Sequence, residues 1–264
     1  MSLNKANSDK IAVCVVGDFF YLRKYLNKFI ENIRNEGSYK NEIIVLTSYF
    51  CPTFFIRIQN KKNVKFLRFK KIRFDKATNE SLKNLDTNGQ PNRHINKNFQ
   101  WHKINLFHEK IKNWDFILYL DINLTIHRSL EKLLDLKVDY KLLAREDGYP
   151  NFDWKLSVQF DSNHPKFSNL QNDFNLEIKD YFQTGLMYFD TKIIETTSVT
   201  DLINLVKKYP LSRNNEQGIM NLYFIYIKNC YKPLPEFVGS YKTYYYWKDS
   251  DDILITKQLV PKYK

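Results

Sequence analysis

Little cysteine, no long apolar run and none of the short signatures of common enzyme classes mark this sequence. Its three cysteines, Cys14, Cys51 and Cys230, lie far apart and form no C-x-x-C pair. That argues against a disulfide scaffold or a zinc ribbon and fits a reducing compartment. No apolar stretch approaches the ~20 residues needed to cross a bilayer. The opening MSLNKANSDK is polar, and the IAVCVV run behind it is too short and wrongly flanked for a signal peptide. The expectation is a cytoplasmic protein with no integral membrane segment. A Walker P-loop, G-x-S-x-G and G-x-G-x-x-G are all missing, so ATPase, serine hydrolase and dinucleotide oxidoreductase readings have no motif to stand on. The five histidines, His94, His102, His108, His127 and His164, show no zinc spacing.

What is present describes a folded chain. An apolar fraction of 43% and an aromatic fraction of 16% supply the surface needed to offset chain entropy. At 264 residues, with no repeats or low-complexity linker, one domain over 1–264 is the simplest reading. The net charge of +12 favours anionic partners: nucleic acid, acidic membranes or phosphorylated substrates. Basic residues cluster over 61–76, but they alternate with Val64, Phe66, Leu67, Phe69, Ile72 and Phe74. That is the pattern of a half-buried strand with a solvated face, and it is preferred to a nucleic-acid-binding stretch.

The order of elements points to an α/β sheet. Residues 11–16 form a continuous apolar, β-branched run, which reads as a strand covered on both faces. Over 21–33, Leu22, Tyr25, Leu26, Phe29, Ile30 and Ile33 recur at helical spacing. Further strands are predicted at 42–46, 64–69 and 116–120, giving a strand–helix–strand rhythm of the nucleotide-binding kind. The stretch 75–98 reads as a long loop or lid, and 99–111 as a helix. Residues 129–136 read as a short helix with Ser129 as its cap. Later come a strand at 186–190, a helix capped by Ser198 with Asp201 in its first turn, and a helix over 216–227. Pro233-Leu234-Pro235 is read as ending the regular part, and 1–10 as a polar tail.

The most informative segment is NWDFILYLDINLTIHRSLEKLL, over 113–134. Its apolar strand delivers Asp121 and Asn123 at the carboxyl end, where open α/β sheets place their ligands. Two oxygen-bearing side chains at that spacing can share one hard cation, Mn²⁺ or Mg²⁺, which offsets charge on a diphosphate leaving group. Alone, the D-x-N pair is better read as a carboxylate capping the following turn.

Five pieces in order resemble the glycogenin-like glycosyltransferases, family 8 of the GT-A fold. They are Asp18-Phe19-Phe20-Tyr21 after the first strand, Lys103 before the metal strand, and YLDIN with SLEKLL. The last two are Tyr181-Phe182-Gln183-Thr184-Gly185 and Glu216-Gln217-Gly218-Ile219-Met220-Asn221. The resemblance implies an α/β single-domain GT-A fold with a mostly parallel, Rossmann-like central sheet flanked by helices. It implies transfer of a hexose from a UDP-sugar to a glycan or protein acceptor, with retention and with divalent-metal assistance. By the same resemblance Gln217, Glu216 and Gln183 would be the catalytic set. Tyr21, Asp18, Arg93, Lys103, Thr184 and Gly185 would bind the donor, and Asp121 and Asn123 the metal. From the residues alone, Tyr21 equally suits a core aromatic and Lys103 a solvated helix position.

The sequence departs from the family in three ways. Asn123 stands where the family has a second Asp. Gln183 and Glu216 each carry one methylene more than the family's Asn and Asp. No His follows His164, so the family's late metal-binding His is missing; Asp249, Asp251 and Asp252 offer an oxygen in its place, although an acidic surface loop is the preferred reading of them. A catalytically weak member that only binds nucleotide sugar is the alternative, and a basic nucleic-acid-binding module comes third. The expected partners are thus a UDP-sugar and a glycan or protein acceptor, without nucleic acid, and with a homodimer left open.

Overall fold

The computed structural model describes residues 9–87, 93–136, 138–147, 153–245 and 251–257. Its strands are β1 Ile11–Val16, β2 Glu42–Ser48, β3 Val64–Phe69, β4 Phe116–Leu120, β5 Leu124–Ile126, β6 Leu142–Glu146, β7 Phe182–Asp190, β8 Tyr231–Pro233, β9 Phe237–Val238, β10 Tyr241–Tyr245 and β11 Ile253–Lys257. Seven of them form one sheet in the order β3-β2-β1-β4-β7-β6-β8, and four form a second, β5-β11-β10-β9. In the large sheet β7 alone runs antiparallel to its neighbours. The expected α/β fold with a mostly parallel central sheet is therefore what the chain adopts.

The unbroken apolar strands follow from burial on both faces. Ala12, Cys14, Ile44, Leu46, Ile117 and Tyr119 enter one core, while Val13, Val15, Ile43, Val45, Leu118 and Leu120 enter the other. Side chains alternate across a strand, so a sheet with two cores needs apolar residues at every position. Each buried Val, Ile or Leu side chain contributes about 1.5–3 kcal/mol of burial. Helix α1, Phe19–Asn35, covers the second core with Leu22, Leu26, Phe29, Ile30 and Ile33. Asp18 caps it by accepting from the Tyr21 backbone N–H at 2.9 Å. The first core is closed by Trp101, Ile104 and Phe107 and by helix residues Leu202, Val206, Ile219 and Met220. All three cysteines are buried and free, and no described helix is long and apolar enough to cross a membrane.

Several expectations are corrected. The stretch 75–98 contains two helices, α2 Lys76–Lys83 and α3 Arg93–Asn96. Asp75 caps α2 by accepting from the Thr78 N–H at 2.8 Å, and Thr78 and Leu82 bury one side. Tertiary packing of that one side stabilises a helix too short to persist alone. Gly89 and Pro91 of the same stretch lie outside the described residues, as does most of the 1–10 tail. The helix expected over 99–111 is instead 3₁₀ structure, Asn98–Phe107 then Glu109–Asn113. Trp101 through Phe107 are buried all round, so the segment has no single apolar face for a regular α-helix to present. Ser129 lies one residue before the N-cap position, and its hydroxyl accepts from the Glu131 N–H at 3.3 Å. The helical turn α4, Glu131–Leu134, has Leu130 at its N-cap position, one residue later than expected. Regular structure does not end at Pro235 either, because β9, β10 and β11 follow and pair β5 into the second sheet. Ser198 does cap its helix, α6 Val199–Lys208, after α5 Phe167–Asp173, by accepting from the Asp201 N–H at 2.9 Å. The helix predicted over 216–227 is α7, Glu216–Asn221, running on as a π-helix over Leu222–Ile227.

Candidate active site

At the carboxyl end of the large sheet lies a cleft of about 740 Å³. All eleven residues singled out from the sequence line it: Asp18, Tyr21, Arg93, Lys103, Asp121, Asn123, Gln183, Thr184, Gly185, Glu216 and Gln217. They come from five places in the chain, and the sheet order explains why they meet. β1 and β4 are parallel neighbours, so the turns after both open at one edge, and β7 beside β4 brings its first half to the same edge.

That first half of β7 leaves the ladder. Ala144 pairs Met187, yet Glu146 pairs Phe182, so the residues from Gln183 to Leu186 are unmatched on the β6 side. Such a bulge exposes backbone groups that need other partners. Here the site side chains supply them. The Lys103 ammonium donates to the Thr184 carbonyl at 3.3 Å, and the Gln217 amide oxygen accepts from the Thr184 N–H at 3.2 Å. Gly185 follows at the point where its carbonyl accepts from the Asp121 N–H at 2.8 Å. A Cβ there would stand 3.3 Å from Asp121 Oδ2, so glycine keeps that oxygen open.

Lys103 is the hub. Its ammonium lies 3.0 Å from Asp121 Oδ1 and 3.0 Å from Glu216 Oε1, and it also donates to Thr184 Oγ1 at 3.3 Å. Only 6% of the residue is exposed, which rules out the solvated-helix reading. Burial disfavours its charge, but Asp121 and Glu216 outweigh that and hold the ammonium above its ordinary pKa. For Asp121, burial would raise the carboxyl; Lys103, the Tyr119 hydroxyl and the charge of Lys257 together bring it below its usual value. Tyr119 donates to Asp121 Oδ1 at 2.6 Å. Thr184 Oγ1 donates to Glu216 Oε1 at 2.8 Å, but the buried Glu216 Oε2 has no hydrogen-bond partner.

Residues that sequence reasoning missed complete the far wall. Asp147, just past the end of β6, accepts at Oδ2 from Gln217 Nε2 at 2.9 Å and from Gln159 Nε2 at 2.8 Å. Burial pushes its carboxyl up to about 6, against the lowering influence of Lys257, Gln217 and Gln159. The signal for Asp147 was available, since it follows an apolar strand as Asp121 does; nothing local marks Gln159. Asn221 fixes the whole arrangement by donating to the Phe182 carbonyl at 2.7 Å and accepting from the Phe182 N–H at 2.8 Å, which ties α7 to the start of β7. Gly218 lets α7 pack closely against Ser212 and Phe160, because a Cβ there would meet Ser212 Oγ at 2.7 Å and Phe160 Cε1 at 2.9 Å. Tyr21, in the first turn of α1, is 51% exposed at the mouth of the cleft and is not a core aromatic. Arg93, on α3, reaches Gln100 Oε1 at 3.5 Å.

The donor set for a divalent ion is thin. Asp121 already receives Lys103 and Tyr119 on Oδ1, Asn123 brings no charge, and the described residues hold no group of three His, Cys, Asp or Glu suited to a metal. A hard cation binds through several charged oxygens, so these residues fit one poorly. Asp251 and Asp252 are exposed and do not line the cleft; Asp249 lies outside the described residues.

A family model described as Glycosyl transferase family 8 matches residues 11–259. No curated protein matches the sequence. Among solved structures, the galactosyltransferase LgtC in complex with donor and acceptor sugar analogs is 14% identical. The match covers 95% of this chain and 87% of that one, at a TM-score of 0.56. Mouse xyloside xylosyltransferase 1 is 9% identical over 96% of this chain and 98% of its own, at 0.55. The glycosyltransferase GlyE of Streptococcus pneumoniae is 18% identical over 86% and 45%, at 0.52. At such identities the structural likeness speaks for the fold.

Proposed function

The chain belongs to glycosyl transferase family 8, and on that premise we propose that it moves a hexose from a UDP-sugar to a glycan or protein acceptor with retention of configuration. It is a glycosyltransferase of GT-A fold, here read as one domain over 1–264. The observation that carries the finer reading is the orphan carboxylate oxygen of Glu216, buried in the cleft beside the Lys103 ammonium. A buried acceptor without a donor is costly, and sugar hydroxyls would supply donors.

The remaining roles follow from position. Tyr21, exposed at the mouth, offers an aromatic face to the base. Gln183 and Gln217, with Asp147 behind them, border the hexose. In a retaining transfer the C1–oxygen bond to the diphosphate breaks while the acceptor oxygen bonds C1 from the same face. The acceptor proton passes to the departing phosphate oxygen. The protein's part is to position the two substrates and to meet the developing charge, so no side chain is named as nucleophile. Enzymes of this family typically use a divalent metal; in this chain Asp121 and Asn123 are the residues expected for it, and they fit such an ion poorly.

The test is a thermal-shift screen of nucleotide sugars with and without Mn²⁺, followed by donor turnover. A ligand of the folded state raises the melting temperature. A UDP-sugar should do so, and Asp121→Ala should abolish turnover; undiminished turnover in that variant would defeat the assignment. The thin donor set favours one second reading, a member that binds nucleotide sugar without transferring it. Binding without turnover toward any glycan would select that reading.

A further inference from the structure

The cation side of the cleft is built differently from a metal site. Strand β11 runs antiparallel to β5 and places Lys257 opposite Leu124, one residue from Asn123. Lys257 lines the cleft together with Asp121, Asn123 and Asp18. Asp147 lines the same cleft from the opposite wall. Lys103 is held between Asp121 and Glu216 inside the wall. Arg93 and Lys97 lie on the 93–97 segment. The β5–β11 pairing sets Lys257 beside the D-x-N turn. A divalent ion placed at Asp121 and Asn123 would face that ammonium, and like charges in a partly desolvated cleft repel strongly.

Resting on the donor reading above, we propose that this site works without a divalent metal and that Lys257 supplies the cation that meets the leaving diphosphate. When the C1–oxygen bond breaks, the electron pair stays on the β-phosphate oxygen. The Lys257 ammonium hydrogen-bonds and neutralises the growing charge there, and the proton from the acceptor hydroxyl completes the balance on that oxygen. An ammonium needs no coordination sphere. This accounts together for an amide at Asn123, the absence of a grouped third ligand among the described residues, and a lysine at the end of β11.

Calorimetric titration of UDP into the full chain, in EDTA and then in Mn²⁺, tests this. The affinity in EDTA should lie within about threefold of that in Mn²⁺, under 1 kcal/mol apart. Lys257→Ala should weaken UDP at least about tenfold in EDTA, Lys257→Arg should recover most of the loss, and uridine, which has no phosphate, should bind all three alike. UDP binding that needs Mn²⁺ in the unsubstituted chain overturns the proposal and leaves the donor reading intact. A loss of uridine binding in Lys257→Ala would mark a structural role and overturn it too. If the unsubstituted chain binds UDP under neither condition, the donor reading falls with it.

Discussion

Lys103 holds two carboxylates that would otherwise repel each other. Removing one member of a buried ionic group leaves the others unpaired, at a cost of about 3–5 kcal/mol. Lys103→Ala should therefore lower the urea midpoint sharply, and a variant as stable as the parent would show that the Asp121–Lys103–Glu216 cluster contributes nothing. Asp147 behaves oppositely. Its carboxyl moves from an ordinary 3.8 up to about 6 on folding, so the folded chain holds that proton more tightly than the unfolded one. The stabilising contribution is full below about 4 and disappears as pH rises through about 6, where the buried group must ionise. Asp147→Asn keeps an acceptor for Gln217 and Gln159 and removes the charge. It should be more stable than the parent by about 3 kcal/mol at pH 8, with the gap closing as pH falls toward 4. Urea titrations at the two pH values decide this.

At the scale of elements, the site depends on how α7 is tied to β7. Asn221 is fully buried and bonds the Phe182 N–H, the Phe182 carbonyl and the Gln217 carbonyl. Asn221→Ala strips partners from buried backbone groups, an effect on the order of 2–3 kcal/mol, and loosens the short helix whose first turn presents Glu216 and Gln217. Both stability and UDP-sugar affinity should fall. Ser198→Ala is the contrasting case: it removes the α6 cap, worth about 1 kcal/mol, and no residue of α6 lines the cleft. Its melting temperature should drop while UDP affinity stays put. A matched loss of affinity in Ser198→Ala would mean that the two helices move as one unit.

Over the whole molecule, stability is concentrated in the middle of the large sheet. β1 and β4 are flanked by strands and covered by both cores, whereas α2 and α3 are short helices and α3 borders the cleft. Amide hydrogen exchange should be slowest in β1 and β4 and fast in α2 and α3, since local opening is easiest where little apolar surface is buried. Addition of UDP should slow exchange over 93–103. Protection confined to the far edge of the sheet would place the ligand elsewhere.

The continuous apolar runs determined β1, β2 and β4 and their sheet class, because a strand covered on both faces has no polar side to show, while β3 was marked by its alternation of basic and apolar residues. Ordered short motifs likewise marked most of the residues that share the cleft, because they sit at strand ends or helix starts, where local spacing reports orientation; Lys103, inside the 3₁₀ segment, is the exception. Tertiary structure alone decided the rest. Whether Lys103 is solvated or buried depends on carboxylates 18 and 113 positions away in the chain. The bulge in β7 exists only through its misfit with β6, and the 3₁₀ segment over 98–107 only through enclosure on all sides. Lys257 meets the D-x-N turn because β11 pairs with β5 across more than a hundred residues. Such long-range pairing is set by the packing of the complete chain, and no local pattern of residue types encodes it.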